Sequence, residues 1–400
     1  MTFGLNILMI STDRTLFEAD SAVRARLLEQ AELVKTMRVI VLASKGGGTR
    51  KEKINERLTV YSTDSANRFA YMFDAYALGQ KIIRGEKCRL VTAQDPFWTG
   101  VVAYLIARKT HAAFHVQLHT DIFSAGWRGN FLRRILAPWV YMRDMNELRF
   151  IGERLLYPMA LFLLKKADGV RVISERLRLG VERLGVPKEK ITKVAIYSDI
   201  KRFLDTPPSF NLHQTYREYN LIVLSMGRLE PEKNYHGLIR AFCNVARDHS
   251  DALLIIVGNG SERDRLLRLV RSLDLDKRVK ILPWARDVVS YYKTCDVYVQ
   301  PSLYEGWGLS VVEALASGAP VVMTDVGCAG ELVRHEENGL VVAPGDPNAL
   351  AGAISRLLKD AKLRARFSRS GKKAAATLAT KEETMRLYKE SWEKAVKNME

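Results

Sequence analysis

Short apolar runs alternate with longer amphipathic segments along most of the chain. The apolar runs are four to seven residues long and rich in Val, Ile and Leu, a pattern typical of strands buried on both faces of a sheet. In the first half they predict strands over residues 5–10, 37–43, 58–61, 90–93, 113–118, 169–173 and 191–196. In the second half they predict strands over residues 221–226, 252–257, 279–282, 297–300, 320–323 and 339–342.

The segments between these runs have helical periodicity. They predict helices over residues 22–35, 68–84, 98–109, 131–164 and 175–184, and a charged amphipathic helix over residues 381–397. Strands that alternate with helices predict parallel sheets covered on both faces. The pattern runs twice, with a break near residues 199–215 that contains Pro207 and Pro208. We therefore predict an α/β protein with two doubly wound, Rossmann-like domains over residues 1–204 and 205–379, and a ligand at the carboxyl ends of the strands.

The composition fits an ordinary globular enzyme. At 400 residues, 47% hydrophobic and 27% charged, the chain is too long for one core, and two domains are expected. No apolar run approaches the roughly 20 residues of a membrane span, and the amino terminus predicts a strand rather than a signal peptide. The four cysteines are scattered without metal-ligand spacing, which favours free thiols in a reducing cytoplasm.

The net charge of +17 is uneven along the chain. Residues 1–200 hold 32 Lys and Arg against 20 Asp and Glu. Such an excess favours an anionic partner, although a role in solubility alone would give the same composition. The basic and aromatic segment from Trp127 to Tyr141 could lie on an anionic membrane surface, or it could be a core helix with a solvated basic face.

Residues 301–314 carry the most specific chemistry. A strand runs into a turn with Gly306 and Gly308, and a helix follows. Glycines let the backbone approach a ligand, and the N-terminus of a helix suits a phosphate. Glu305 and Glu313 would be repelled by that phosphate, so sugar hydroxyls are their natural partners. The segment therefore predicts a nucleotide-sugar pocket.

A second loop, residues 227–234, leaves another buried strand. Gly227 permits a sharp exit from the sheet, and Arg228 and Lys233 can turn toward one anion such as a diphosphate. Solvated surface cations are the alternative interpretation. Gly258 and Gly260 form a third strand exit, which by itself is weak evidence for a ligand and equally fits a simple turn.

Histidine is the candidate side chain in the first half. His119 ends a predicted strand, where it could contact a sugar hydroxyl or a phosphate, or serve a structural role. His111 and His115 lie on a less informative stretch, and we predict that both are structural.

The second half resembles the retaining glycosyltransferases of family 4, which have the GT-B fold of two facing Rossmann-like domains. The resemblance covers residues 221–360 and is looser in the first half, where it rests on His119 and residues 166–174. The matching words, in order, are Gly227-Arg228-Leu229, Glu232-Lys233-Asn234, Gly258-Asn259-Gly260, Pro301-Ser302, Glu305-Gly306-Trp307-Gly308-Leu309, Glu313-Ala314, Ser317-Gly318-Ala319-Pro320, Gly330-Glu331-Leu332 and Asn338-Gly339-Leu340.

The resemblance implies a role for each matching residue. Arg228 and Lys233 would hold the donor diphosphate, and Glu305 would bind hydroxyls of the donor sugar. Glu313 would take the ribose hydroxyls, and His119 would face the donor sugar from the other domain. Backbone at the remaining positions would bind the nucleotide: Gly227, Gly258, Gly260, Gly306, Gly308 and Leu309. The helix at residues 380–400 would pack back on the first domain.

Two segments of the sequence differ from the motifs of the family. The first loop, usually Gly-rich, reads Ser11-Thr12-Asp13-Arg14, and the later Gly46-Gly47-Gly48 follows a different strand. The linker word reads Tyr197-Ser198-Asp199-Ile200. Contacts from both places are therefore not carried over.

The resemblance implies a retaining hexosyltransferase, and the cations of the loop at residues 227–234 predict that it needs no metal ion. No cofactor is expected. Its donor would be a UDP-, GDP- or ADP-sugar, and its acceptor a saccharide or lipid-linked glycan of the cell envelope. A nucleotide-sugar epimerase or phosphorylase on the same fold is the alternative, and a basic nucleic-acid-binding protein is a second one. No nucleic-acid partner is expected, since no binding module is recognisable. The predicted location is the cytoplasm, either free or at the inner face of the membrane.

Overall fold

The computed structural model describes residues 4–44, 51–67, 70–124, 127 and 147–400. Within these residues the chain forms two compact units. The first comprises residues 4–123, 147–195 and 380–400, and the second comprises Ser124, Trp127 and residues 196–379. Each unit has its own sheet, so the predicted α/β class with two Rossmann-like domains is confirmed.

The first unit contains an eight-stranded sheet in the order β3-β4-β2-β1-β5-β6-β7-β8. Its strands are β1 (Asn6–Ser11), β2 (Thr36–Val41), β3 (Lys51–Lys53), β4 (Leu58–Ser62), β5 (Leu90–Ala93), β6 (Ala113–Leu118), β7 (Gly169–Val172) and β8 (Ile191–Lys193). Its first five helices are α1 (Ala22–Ala31), α2 (Tyr71–Glu86), α3 (Trp98–Thr110), α4 (Glu147–Lys166) and α5 (Glu175–Arg183).

One strand of this sheet differs from the prediction. Strand β3 was not predicted, and it pairs antiparallel with β4 at the edge of the sheet, so the first sheet is not wholly parallel. Its sequence, Lys51-Glu52-Lys53, is charged at every position. Such residues carry no hydrophobic signal and are typical of an edge strand.

The second unit contains a six-stranded parallel sheet in the order β11-β10-β9-β12-β13-β14. Its strands are β9 (Leu221–Met226), β10 (Ala252–Val257), β11 (Val279–Leu282), β12 (Val297–Gln300), β13 (Val321–Thr324) and β14 (Gly339–Val342). Its helices are α6 (Ile200–Asp205), α7 (Leu212–Thr215), α8 (Tyr235–Asp248), α9 (Arg263–Ser272), α10 (Val288–Thr294), α11 (Leu309–Ser317), α12 (Pro347–Lys359) and α13 (Ala361–Ala376). Every residue of β10 is buried, because helices cover both faces of the sheet.

The predicted linker is part of the second unit. The division lies after residue 195 rather than after residue 204. Helix α6 follows it, and the Phe203 ring packs edge-on against Tyr292 with 6.1 Å between centroids. The carbonyl of Leu204 also accepts a 2.8 Å hydrogen bond from Lys293 Nζ. Pro207 and Pro208 lie between α6 and α7, so the break in the pattern marks two short packed helices.

The last helix, α14 (Lys381–Met399), belongs to the first unit. Its Trp392 is fully buried in the core of that unit with Ile7 and Val39. Asn398 Nδ2 donates a 3.0 Å hydrogen bond to the carbonyl of Asp168, just before β7. The chain therefore returns from the second unit to complete the hydrophobic core of the first.

Some sequence predictions fall outside the described residues. These are the glycine triplet at residues 46–48, the basic and aromatic segment at residues 128–141, and the predicted helical residues 68–69 and 131–146. In the part of the chain that is described, no helix is long and apolar enough to cross a membrane.

Candidate functional site

The strand exits of the second unit bring two of the predicted loops together. Strand β9 lies between β10 and β12, and all three are parallel, so their carboxyl ends share one edge of the sheet. Backbone joins the loops after β9 and β12, since the Leu303 N–H donates to the Glu232 carbonyl at 2.8 Å. Asn234 Nδ2 adds a 3.2 Å hydrogen bond to the Pro301 carbonyl. The two sequence words therefore form one site.

Glu305 is the centre of this site. Its Oε1 atom accepts hydrogen bonds from Gln300 Nε2 at 2.7 Å and from Ser302 Oγ at 3.0 Å, and it forms an ion pair with Lys233. Among the described residues, all hydrogen bonds to this carboxylate go to Oε1. The carboxylate is therefore held at one oxygen, and its second oxygen is left for a ligand.

Gln300, which was not predicted as a site residue, fixes the orientation of Glu305. Its side chain is buried, and its Oε1 accepts 2.9 Å hydrogen bonds from Tyr298 Oη and Ser310 Oγ. Its Nε2 donates to Ser302 Oγ at 2.8 Å as well as to Glu305. Every hydrogen-bonding capacity of the amide is used, which fixes its rotamer. The sequence signal was a polar residue at the end of the apolar run Val297–Gln300.

The two predicted diphosphate-binding cations are placed differently from one another. Lys233 is largely buried and paired with Glu305, whereas the Arg228 side chain is 71% exposed and donates a 3.0 Å hydrogen bond to Glu232. Neither carboxylate partner was predicted from the sequence. Each of the two cations thus has a carboxylate counter-ion.

The glycines after β9 and β10 permit close packing of two loops. A Cβ atom at Gly258 would lie 1.9 Å from the Gly227 carbonyl oxygen, and one at Gly260 would lie 2.4 Å from the Leu229 carbonyl oxygen. The Leu229 N–H donates a 2.8 Å hydrogen bond to the Asn259 carbonyl across the same contact. Gly227 has a φ of +156°. The Gly-x-Gly word therefore supports the loop that carries Arg228 and Lys233.

Helix α11 begins directly after the turn that contains Glu305. Its N-cap is Gly308, with a φ of +96° in the left-handed region, and no side chain caps the helix. Gly306 is buried, and Leu309 is the first residue of α11. The first N–H groups of a helix without a side-chain cap are oriented to bind an anion.

Glu313 lies one turn further along α11, in a more apolar environment. Its Oε2 accepts a 3.1 Å hydrogen bond from Tyr292 Oη. Burial raises the pKa of this carboxyl group, while the hydrogen bond from Tyr292 and the charge of Arg202 oppose the rise. Tyr292 and Arg202 were not identified from the sequence, because they lie on α10 and α6 and approach Glu313 only in the folded unit.

His119 lies in the first unit, just after β6. Its Nε2 lies 3.2 Å from Gln117 Oε1 and 3.5 Å from Arg171 Nη1. Burial and the charge of Arg171 lower its pKa to about 3, so the imidazole is neutral at physiological pH. A neutral ring can both donate and accept a hydrogen bond.

The neighbouring histidine, His115, has a structural environment. It is fully buried within β6, with Nδ1 2.8 Å from Thr92 Oγ1 and Nε2 2.9 Å from Ser391 Oγ of α14. Burial lowers its pKa to about 3. The ring thus connects the sheet to α14.

The first loop, where the sequence departs from the family, is a capped turn. Ser11 Oγ donates a 2.8 Å hydrogen bond to Gln94 Oε1, and Asp13 Oδ1 accepts from the Thr15 N–H at 3.1 Å. Asp13 thereby caps a short 3₁₀ helix, Arg14–Phe17.

Within the described chain, no group of three or more His, Cys, Asp or Glu side chains could hold a metal ion.

Most of the second unit matches a known protein family. Residues 213–374 match the family model described as glycosyl transferases group 1. An uncharacterized glycosyltransferase of Methanocaldococcus jannaschii is 38% identical over 141 residues, which cover 35% of this chain and 36% of that protein. The N-acetylgalactosamine-N,N'-diacetylbacillosaminyl-diphospho-undecaprenol 4-alpha-N-acetylgalactosaminyltransferase of Campylobacter jejuni is 34% identical over 154 residues, which cover 38% and 41%.

A solved structure extends the similarity to nearly the whole chain. Anabaena HepE in complex with UDP-glucose has a TM-score of 0.69 and 21% sequence identity, over 97% of this chain and 98% of that one. This likeness concerns the fold, whereas the chain spans less than half the length of each of the two curated relatives. At the level of the matched domain, the prediction of a glycosyltransferase enzyme is confirmed.

Proposed function

We propose that this protein is a retaining, metal-independent glycosyltransferase. It would move a hexosyl group from a nucleoside-diphosphate sugar to a saccharide or lipid-linked acceptor in cell-envelope glycan or glycolipid synthesis. The observation that carries the proposal is the Glu305 carboxylate held at one oxygen by Lys233, Gln300 and Ser302, beside the uncapped start of α11. The match of residues 213–374 to group 1 glycosyl transferases supports the reaction class.

In this proposal the second unit binds the donor and the first unit binds the acceptor. The diphosphate binds at Arg228, Lys233 and the N–H groups that begin α11, and Glu313 takes the ribose hydroxyls. The free oxygen of Glu305 accepts a hydroxyl of the donor sugar. His119 of the first unit, a neutral imidazole, contacts a sugar hydroxyl. We propose that the enzyme works in the cytoplasm, at the inner face of the membrane when its acceptor is lipid-linked.

The chemical step separates charge. The bond between the anomeric carbon and the diphosphate oxygen breaks, and its electron pair leaves with the diphosphate. The acceptor oxygen bonds to the same face of the sugar, and its proton passes to the departing phosphate. Fixed cations and helix N–H groups stabilise the negative charge that develops on the phosphate, and such preorganised stabilisation is usually the largest catalytic contribution. We propose that these cations serve in place of a metal ion.

The names of similar proteins suggest substrates to test. The structurally similar HepE was solved in complex with UDP-glucose. The name of the Campylobacter relative contains a diphospho-undecaprenol acceptor. The donor is best identified by a thermal-shift screen with UDP, GDP and ADP and their sugars. A nucleotide that stabilises the protein only with its sugar attached would indicate that contacts to the sugar contribute to donor binding.

The assignment of Lys233 and Glu305 is tested with two variants and two measurements. Lys233→Met should weaken binding of the nucleoside diphosphate by roughly tenfold to a hundredfold, because a hydrogen bond to a charged group contributes about 1.5–3 kcal/mol. Glu305→Gln should leave that binding equal or tighter, since it releases Lys233 from its counter-ion, and should greatly reduce sugar transfer.

Lys277→Met is the matched control, because Lys277 is an exposed lysine outside the site of the second unit. It should change neither measurement. Normal transfer by Lys233→Met with an intact fold would refute the diphosphate assignment. Strong inhibition by EDTA would refute the metal-independent mechanism.

A further inference from the structure

Three helices form a layer on the first sheet. Helices α2, α3 and α4 precede β5, β6 and β7, which are neighbouring parallel strands. Helix α3 packs against both α2 and α4. The rings of Tyr104 on α3 and Phe162 on α4 meet edge-on with centroids 5.6 Å apart. Each helix runs back to start the next strand, so the C-terminal ends of all three lie at the same edge of the sheet.

This layer exposes large apolar side chains to solvent. Phe73 on α2 is 76% exposed, Trp98 and Leu105 on α3 are 42% and 46% exposed, and Phe162 on α4 is 48% exposed. These are four of the six large apolar side chains that the described structure exposes to this extent. Single exposed apolar residues are normal, whereas several on one set of adjacent helices indicate a contact surface.

The same helices carry exposed cations toward their C-terminal ends. The exposed basic residues of this set are Lys81, Arg84, Arg108, Lys109, Lys165 and Lys166. Within the described residues, no carboxylate forms an ion pair with any of the six. Lys166 Nζ instead lies 5.9 Å from the centroid of the Phe162 ring. Helix C-termini favour cations, but these six lie on the same three helices as the exposed apolar side chains. Leu105 is within four residues of Arg108 and Lys109, and Phe162 is within four residues of Lys165 and Lys166.

We propose that this α2–α4 face, defined by these four apolar and six basic side chains, docks on an anionic lipid bilayer. Cations attract the anionic headgroups, and the apolar side chains enter the boundary between headgroups and acyl chains. A nucleic acid would satisfy the cations, but it offers no hydrocarbon for the aliphatic Leu105. Docking would bring the enzyme to a lipid-linked acceptor, and this role rests on the proposed function. The surface itself consists of side chains of the first unit.

Vesicle co-sedimentation of the full chain tests this proposal. Vesicles of phosphatidylcholine alone are compared with vesicles that contain about one third phosphatidylglycerol. We expect binding to the anionic vesicles only, and weaker binding as salt is raised, because ions screen exposed charges. Equal binding to both vesicle types, or binding to neither, would overturn the proposal, as would tighter binding to single-stranded RNA than to the anionic vesicles.

Two variants locate the surface. The quadruple change of Arg108, Lys109, Lys165 and Lys166 to Gln should weaken vesicle binding by a hundredfold or more, since each cation near such a surface contributes roughly a factor of five. Leu105→Ser should also weaken vesicle binding. Leu105 is exposed, so this change leaves the core intact, whereas a change at Phe162 would disturb its contact with Tyr104. Full binding by both variants would overturn the assignment to this face.

Matched controls lie elsewhere on the chain. Leu179→Ser removes another exposed leucine, and the double change of Arg268 and Arg271 to Gln removes exposed cations of the second unit. Both should bind vesicles as the unchanged protein does. Nucleotide binding by the surface variants should also be unchanged, so loss of docking and failure of the proposed transferase site give separate results.

Discussion

Single residues decide how the Glu305 carboxylate is oriented. Lys233 and Glu305 were both predicted as site residues, but as contacts to different parts of a donor. The structure joins them in an ion pair and adds Gln300 and Ser302 as further donors. A lysine ammonium has three N–H groups, so Lys233 can keep Glu305 in place and still donate to a diphosphate. The pair therefore connects the sugar and phosphate halves of the proposed donor site.

Gln300 offers a test of this orientation. Gln300→Leu keeps the volume approximately but removes the 2.7 Å hydrogen bond to Glu305. We expect kcat to fall roughly tenfold or more, in line with the loss of a hydrogen bond to a charged group. Affinity for the nucleoside diphosphate should be kept, because Lys233 is unchanged.

Ser310→Ala is the control for that variant. It removes one hydrogen bond to Gln300 Oε1 and none to Glu305, so its kcat should remain closer to normal. An equal loss of diphosphate affinity and kcat in Gln300→Leu would show general damage to the site rather than a role in positioning.

At the scale of elements, the strand exits depend on backbone that only glycine can supply. Gly258 and Gly260 are in contact with the carbonyls of Gly227 and Leu229. The predicted turn after β10 and the predicted cation loop after β9 therefore pack directly against each other. Their contact determines where Arg228 and Lys233 lie.

Gly258→Ala should disturb this packing. The added Cβ would lie 1.9 Å from a backbone oxygen, which cannot move without displacing the loop. We expect a lower denaturation midpoint together with weaker binding of the nucleoside diphosphate. By contrast, Gly352→Ala on α12 meets nothing within 4 Å and should raise stability by about 0.5–1 kcal/mol, as expected for glycine in a helix interior. A tolerated Gly258→Ala would show that the loops are not coupled.

At the scale of the whole molecule, α14 ties the C-terminus of the chain to the first unit. Trp392 completes the core of that unit, and Ser391 forms a hydrogen bond with His115 inside the sheet. Burial lowers the pKa of His115 to about 3, from an ordinary value of 6.5. Between these values the unfolded chain binds a proton that the folded chain excludes, so the first unit loses stability as pH falls.

This loss has a measurable size. It should amount to about 2 kcal/mol near pH 5 for one such histidine. Hydrogen exchange of β6 amides is the suitable measurement, because two-unit proteins need not unfold in one step. His115→Gln should flatten the dependence on pH, with a remaining slope from His119, whose pKa is lowered in the same direction. His111→Asn, at the exposed left-handed end of α3, serves as the control and should keep the full slope.

The sequence by itself determined the elements and the residue types of the site. Apolar runs such as residues 221–226 and 252–257 coincide with β9 and β10, because burial on both faces leaves a continuous hydrophobic signal. Glu305, Lys233 and Gly308 were predicted as site residues from local motifs, and the structure brings Lys233 and Glu305 into an ion pair.

Only the tertiary structure decided which groups meet. Tyr292 approaches Glu313 from another helix, Gln300 reaches Glu305 across a turn, and Ser391 meets His115 from 276 residues away. The charged strand β3 carries no apolar signal, and the pairing of Lys233 with Glu305 depends on the order of β9 and β12 in the sheet. Periodicity and spacing report the environment of a residue, whereas partners far apart in the chain are set by how the strands and helices pack.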